Sequence, residues 1–375
     1  MDRVPVSLFI HDEGNFLKQV YSNLNRDNHL DCKFKLIDLQ REFGVDINLR
    51  MLHGMTPLWI TYGGLNTETQ SDCWEVFLKK EHKRGNTLVK SYTIKTPKGE
   101  FSQEFSISEI APGTLNYACT KKPIKNIKDL EVTMEYEPPM DKNYPKKVKG
   151  IVEKVRSYLR DDGVTSIWAP SCAFNAASNL IDLDLLYSLF LLDMPFFEKL
   201  ISFSIKRTFP FIKAMCESGV DIINLGGNAP GGFLGKKNYD KYALPYEKKY
   251  ISFAKSFGTK ALYHNCGLAS ALIESYKELG SDIIEPFTPP PFGDNDLAEV
   301  KKKSEGKFII IGNVDQVNVI QKGTIDLVKE ITKKTVEIGK VGGGFILQNA
   351  DYFEYGTPIE NIEAYIKIGI EYGGY

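Results

Sequence analysis

The chain has 375 residues, 42% of them hydrophobic and 25% charged, an ordinary globular balance that excludes a disordered or fibrous polymer. Its 47 Lys and Arg stand against 48 Asp and Glu, so no overall positive field gathers nucleic acid or an anionic membrane, and neither is expected as a partner. Barrel domains run past about 250 residues as one unit, so the length is compatible with a single domain over 1–375.

The chain opens with Asp2 and Arg3 ahead of a short apolar run, without the apolar region and small-residue cleavage site of a signal peptide. That run predicts a strand over 4–10, followed by helices near 15–22 and 34–43. Two alternating β-rich runs over 88–107, around Pro97, Lys98 and Gly99, predict a hairpin. No Gly/Ser linker surrounds it, so it reads as an N-terminal elaboration of the main fold at about 86–120. The Pro- and Lys-rich stretch 136–147 is expected to be a surface loop.

The second half alternates regularly. Strands are predicted over 164–168, 220–224, 260–264, 282–285, 308–312 and 345–349, with amphipathic helices over 239–257, 268–279, 325–338 and 359–372. Strands this apolar belong to a parallel sheet covered on both faces. An open doubly wound sheet is the rival, but no G-x-G-x-x-G follows a first strand. The expected class is therefore α/β, a (β/α)8 TIM barrel with an N-terminal elaboration containing a β-hairpin. The richest apolar run, 185–197, is broken by Asp193 and Pro195, so no uncharged stretch reaches the 18 or so residues of a membrane span. The six cysteines (Cys32, Cys73, Cys119, Cys172, Cys216, Cys266) are scattered without paired spacings, as in reduced proteins of the cytoplasm.

In such a barrel the chemistry sits at the C-terminal ends of the strands. The predicted ends carry Asn224, then His264 with Cys266, then Glu285, then Asn313 with Asp315, then Asn349 with Asp351. His264 and Cys266, two apart at one strand end, can turn to one point and offer nitrogen and thiolate to a tetrahedral zinc ion. A buried histidine beside a small hydrophobic cysteine is the plain alternative. Asp351 is the candidate third ligand and Glu285 competes with it. Asp12 and Glu13, after the first strand, could supply a fourth ligand or a base, or could equally be an acidic pair at a helix start. Asn224, Asp315 and Glu13 are the candidate catalytic residues. Phe287 and Phe292, in a loop with three prolines, and Tyr352, Phe353 and Asn349 are candidates for the substrate wall.

Read in order, these pieces resemble the uroporphyrinogen decarboxylase superfamily. The matching residues are 221–225 with Leu244, Pro245 and Tyr246; Tyr263, His264, Asn265, Cys266 and Gly267; 312–315; 342–347; and 357–362. The decarboxylases proper carry an arginine motif after the first strand that is missing here, and no arginine follows Arg207. A polycarboxylate substrate calls for bidentate arginine clamps, which leaves a metal-free decarboxylase using Asp315 or Glu13 as the secondary reading. The resemblance is to the methylcobamide:coenzyme M type of corrinoid methyltransferase, whose H-x-C pair is joined by a far cysteine. That position falls on Asp351. The resemblance implies zinc, methylcobamide carried by a partner corrinoid protein, and a small methyl donor or acceptor, with a methoxylated or aromatic donor in O-demethylation as one form. A homodimer is compatible with it.

Overall fold

The computed structural model describes every residue except 1, 13–14, 53, 112–113 and 228–230. Its strands, in chain order, are β1 (Ile47–Met51), β2 (Glu75–Arg84), β3 (Thr87–Thr96), β4 (Gly99–Ala111), β5 (Thr114–Lys121), β6 (Gly163–Trp168), β7 (Ile222–Gly226), β8 (Lys260–His264), β9 (Ile283–Glu285), β10 (Ile309–Val314) and β11 (Phe345–Asn349). They form a seven-stranded sheet in the order β1-β6-β7-β8-β9-β10-β11 and a four-stranded sheet in the order β2-β3-β4-β5. Every pairing in the first is parallel and every pairing in the second antiparallel.

The parallel sheet is curled. Arg50 on the β1 edge bonds Glu285, four strands away, at 2.6 Å and Gln348 on the opposite edge strand at 3.3 Å. Ile222, Leu262, Ile283 and Ile311, one from each of β7 to β10, pack into a separate apolar layer with Ile346 of β11. Alternate inward residues stacked in layers are what a curled parallel sheet requires.

The strand expected over 4–10 is not a regular one. The segment makes a single parallel bridge, Val6 to Leu347, and hydrogen bonds at 2.9 Å from Ser7 N–H to Leu347 O and from Leu347 N–H to Pro5 O. On its other side Asp46 N–H bonds Val6 O at 2.8 Å, and the Asp46 carboxylate accepts the Val6 N–H. Pro5 has no N–H to give a ladder, and the carboxylate takes the place of a backbone partner. Where the sequence predicts eight strands, the sheet thus has seven, with this segment bridged to its β11 edge.

The hairpin at 88–107 is the β3–β4 pair, and β2 and β5 extend it to a sheet wider than the expected 86–120 elaboration. The expected loop 136–147 is shorter, because Tyr144–Leu159 is a helix with proline in its first turn. Pro145 needs no N–H there, and Val148, Val152, Val155 and Leu159 fall on its buried stripe. Asp193, read as a break in an apolar run, caps the helix Met194–Glu217 through a 3.1 Å bond from Phe196 N–H. Among the described residues no helix is long and apolar enough to cross a membrane.

Candidate functional site

His264 is the last residue of β8, 8% exposed, with Gly226 of β7 and Glu285 of β9 as its register partners. Gly226 has φ +125°, and a Cβ there would lie 2.1 Å from the His264 carbonyl oxygen, so only glycine lets β7 run this close. His264 Nδ1 sits 2.9 Å from Glu285 Oε1, and the ring also hydrogen-bonds Cys266, two residues on. Burial works against a charged ring, but the bonds and charges of Cys266 and Glu285 outweigh it and lift His264 to about 10.

Glu285 is fully engaged. Arg50 Nη1 donates to Oε1 at 2.6 Å and Arg50 Nη2 to Oε2, while His264 shares Oε1. Burial pushes this carboxyl up, and the charge and hydrogen bonds of Arg50, followed by those of His264, more than reverse it, to about 2. Glu285 therefore stands as the partner that orients His264 and not as a free donor beside it. Arg50 is itself 2% exposed, with its guanidinium 4.1 Å above the Phe9 ring.

Asp351 follows β11 into the same electrostatic neighbourhood. Burial raises its carboxyl, His264 and a bond from Tyr352 N–H oppose that, and Glu285 adds to it. Its Oδ1 accepts the Tyr352 N–H at 2.8 Å. Among the described residues no group of three or more His, Cys, Asp or Glu is arranged to hold a metal ion. The reason is visible in the bonds: His264 and Cys266 are together, but Asp351 accepts the Tyr352 N–H and Glu285 is held by Arg50.

The other predicted residues divide. Asn224 is fully buried and donates Nδ2 to Ser166 Oγ at 3.5 Å, while its Oδ1 has no partner among the described residues. Asp315 caps the turn after β10, accepting Val317 N–H at 2.8 Å and Asn318 N–H at 2.9 Å. Asn349 clamps the N-terminal segment through Phe9 N–H and Phe9 O, both at 2.9 Å. Phe287 and Phe353 are core residues, packed on Tyr276 and Phe308 and on Phe16 respectively. Phe292 is exposed. The prolines beside it line a separate cavity of about 400 Å³ with Leu297, Val319 and Ile338. Asp12 is fully buried in an ion pair with Lys33 at 2.7 Å, and Glu13 lies outside the described residues.

The aromatic surface next to His264 comes from elsewhere. Trp168 meets the His264 ring edge-on at 5.2 Å, Phe9 stacks with Trp168 at 6.2 Å, and Tyr352 meets His11 at 4.1 Å and Phe9 at 6.2 Å. Of the predicted wall only Tyr352 belongs to this group. Arg50, Phe9 and Trp168 were not singled out from the sequence. Their signal was a charged or aromatic residue at an inward strand position, which needed β1 and the curl to be known.

With this geometry in place, comparison with known proteins adds the following. The uroporphyrinogen decarboxylase (URO-D) family model matches residues 109–372. A methylcobamide:CoM methyltransferase of Methanosarcina acetivorans is 30% identical over 132 residues, 34% of this chain and 37% of that protein. A uroporphyrinogen decarboxylase of Prochlorococcus marinus is 29% identical over 175 residues, 46% of this chain and 47% of that protein. The chain thus spans about half the length, or less, of these curated relatives. A solved methyltransferase structure from Methanosarcina mazei superposes with a TM-score of 0.70 at 14% identity, covering 99% of this chain and 95% of that one, which speaks for the fold.

Proposed function

The chain belongs to the uroporphyrinogen decarboxylase (URO-D) family, and on that premise we propose that it is a zinc-dependent methyltransferase. It moves a methyl group between a small methylated substrate and the corrinoid of a methylcobamide-carrying partner protein, in the cytoplasm. The observation that carries the reading is the contact of His264 and Cys266 at the end of β8, with Glu285 on His264 Nδ1. A carboxylate on one ring nitrogen fixes the tautomer that presents the other to a metal. Nitrogen and thiolate from these two would make a donor set that zinc accepts if the Asp351 carboxylate left the Tyr352 N–H to join them. Bound there, zinc supplies Lewis acidity to the heteroatom that carries or receives the methyl group. In this reading the segment 4–10 is the eighth stave of a (β/α)8 barrel and the whole chain is one domain.

The protein's own groups prepare the remainder. Trp168, Phe9 and Tyr352 give an apolar, aromatic wall beside His264, which suits a methoxylated aromatic donor and keeps water from a methyl group in transit. The decarboxylase reading loses support here, because Arg50 spends its guanidinium on Glu285 and Asp315 caps a turn.

The test is metal analysis of the purified chain followed by methyl transfer to cob(I)alamin from a panel of methoxylated and methylated donors, followed by visible absorption. We expect one zinc per chain and turnover that needs it. Cys266→Ala should lose the metal and keep the fold, and Asp351→Ala should weaken zinc binding. Asp351→Cys should keep zinc but lose ether demethylation, because thiolate makes it a poorer Lewis acid. A zinc-free chain with full activity, or decarboxylation without metal, would sink the reading.

A further inference from the structure

We propose that the cavity behind the proline loop is a second binding site, for a small uncharged molecule with an apolar body and a hydrogen-bond-donor head, an amide or an alcohol. It stands apart from the site around His264 and does not depend on the function proposed there. Its volume of about 400 Å³ lies within the roughly 300–1,000 Å³ of small-molecule pockets. Prolines 289–291 form one side. Leu297, at the start of the helix Leu297–Ser304, faces them with Val319 and with Ile331 and Ile338 of the helix Ile325–Gly339. Ile331 and Ile338 are seven residues apart and so share one face of their helix. This part of the wall offers a ligand hydrocarbon alone, which favours an apolar body.

Asn295, Asn313 and Asp315 make the polar part of the lining. Asn295 is 2% exposed, and its Nδ2 donates to Thr288 O at 3.0 Å and to Gly267 O at 3.3 Å. Both partners are carbonyl oxygens, so the amide cannot be turned over. Its Oδ1 is left buried, with no partner among the described residues. A buried acceptor in that state costs as much as a lost hydrogen bond, and a ligand N–H or O–H would recover it. Asn313 is fixed in the same way, by Nδ2 on Phe287 O at 2.9 Å, which leaves its oxygen on the other edge of the amide. Thr288 Oγ1 accepts the Gly267 N–H at 3.2 Å, so the frame that holds Asn295 is set before a ligand arrives. The charged groups call for no charge on the ligand. Asp315 already takes the N–H groups of Val317 and Asn318 and the Asn318 Nδ2, and Asp296 and Lys334 are exposed and opposite in sign. Neutral amide oxygens do not offset the cost of burying an ammonium group, so the head is a neutral donor.

The experiment follows the Ile, Leu and Val methyl groups of the isotope-labelled full chain by NMR while cyclohexanecarboxamide is added. Cyclohexyl methyl ketone is the comparison, because a methyl group replaces the amide nitrogen and the molecule keeps its shape without a donor. We expect the amide to shift the Val319, Ile331 and Ile338 methyls together and to saturation, with a Kd of the order of a millimolar. The ketone should bind at least about fivefold more weakly, the loss expected when a buried acceptor keeps no partner. Val319→Phe, which fills the cavity, should abolish amide binding and leave the rest of the methyl spectrum as in wild type. No saturable shift of these methyls, a ketone that binds as tightly as the amide, or undiminished amide binding in folded Val319→Phe overturns the proposal. If Val319→Phe does not fold, Ile338→Phe takes its place with the same two outcomes. If neither folds, the comparison of amide with ketone on the wild-type chain decides by itself.

Discussion

The proposed function asks two states of His264. Its ring lies between Cys266 and Glu285, and although burial works against a charge there, these neighbours lift it to about 10 from an ordinary 6.5. The ring is then protonated at pH 7. A folded value raised above the unfolded one contributes stability that is fully present below pH 6.5 and lost as pH rises through about 10. A zinc ion bound as proposed would need the neutral ring, so its uptake would displace that proton. Apparent zinc affinity should therefore rise between pH 7 and 9, by about tenfold per unit for each proton released. Calorimetry in buffers of different protonation enthalpy counts those protons directly. An affinity flat across this range, with no proton released, would mean that the ring is already neutral without metal. The sequence marked all of this trio, His264, Cys266 and Glu285, by their place at strand ends. It passed over Arg50, which interrupts the apolar residues Ile47, Leu49 and Met51 of a strand too short to stand out.

At the level of elements, periodicity served where burial is lopsided. The predicted helix 359–372 coincides with the C-terminal helix Ile359–Tyr372, whose buried Ile362, Tyr365, Ile366 and Gly369 recur at three and four, and the predicted strand 260–264 coincides with β8, a short run buried at its last four positions. β2 was missed because it is exposed along nearly all of its ten residues, so charge on both faces hides the alternation. The N-terminal segment fails in the opposite way: it is apolar enough to read as a strand, yet Pro5 and side-chain partners replace the ladder. Asn349 is the clearest of those partners. Its amide pairs with both Phe9 backbone groups, and Nδ2 also donates to Asp351 O at 2.6 Å, so one side chain ties the N-terminal segment to the loop that carries Asp351. Asn349→Ala should cost about 1–3 kcal/mol in denaturant melts, since it strands a buried N–H and C=O. Amides of residues 4–10 should also exchange faster. A variant with wild-type stability and protection would show that bridges to Leu347 suffice.

For the molecule as a whole, the proposed function would bring a partner to the mouth of the sheet. A methyl group passing between a small substrate and a corrinoid on another protein requires that protein to seat over the C-terminal ends of the strands. That rim carries large apolar side chains left in water: Phe233 after β7 is 67% exposed, Leu268 after β8 47% and Phe292 after β9 52%. Leu192, 83% exposed, stands just ahead of the helix that runs back to the start of β7, which puts it at the same end of the sheet. Scattered exposed apolar residues are ordinary, but two leucines and two phenylalanines on successive connections of one rim offer anchors that a partner would desolvate. Anchors of this kind dominate binding while contributing little to the isolated fold. A Leu192→Asp/Phe233→Asp variant should therefore leave zinc uptake, melting behaviour and the rate with free cob(I)alamin as in wild type. Its KM for the corrinoid protein should rise at least about tenfold, the loss expected when central apolar anchors become charged. Steady-state assays at varied corrinoid protein, run beside free cob(I)alamin, separate the two. An unchanged KM for the protein would move the docking face away from these connections, and an equal loss with free cob(I)alamin would mean that the substitutions reach the site itself.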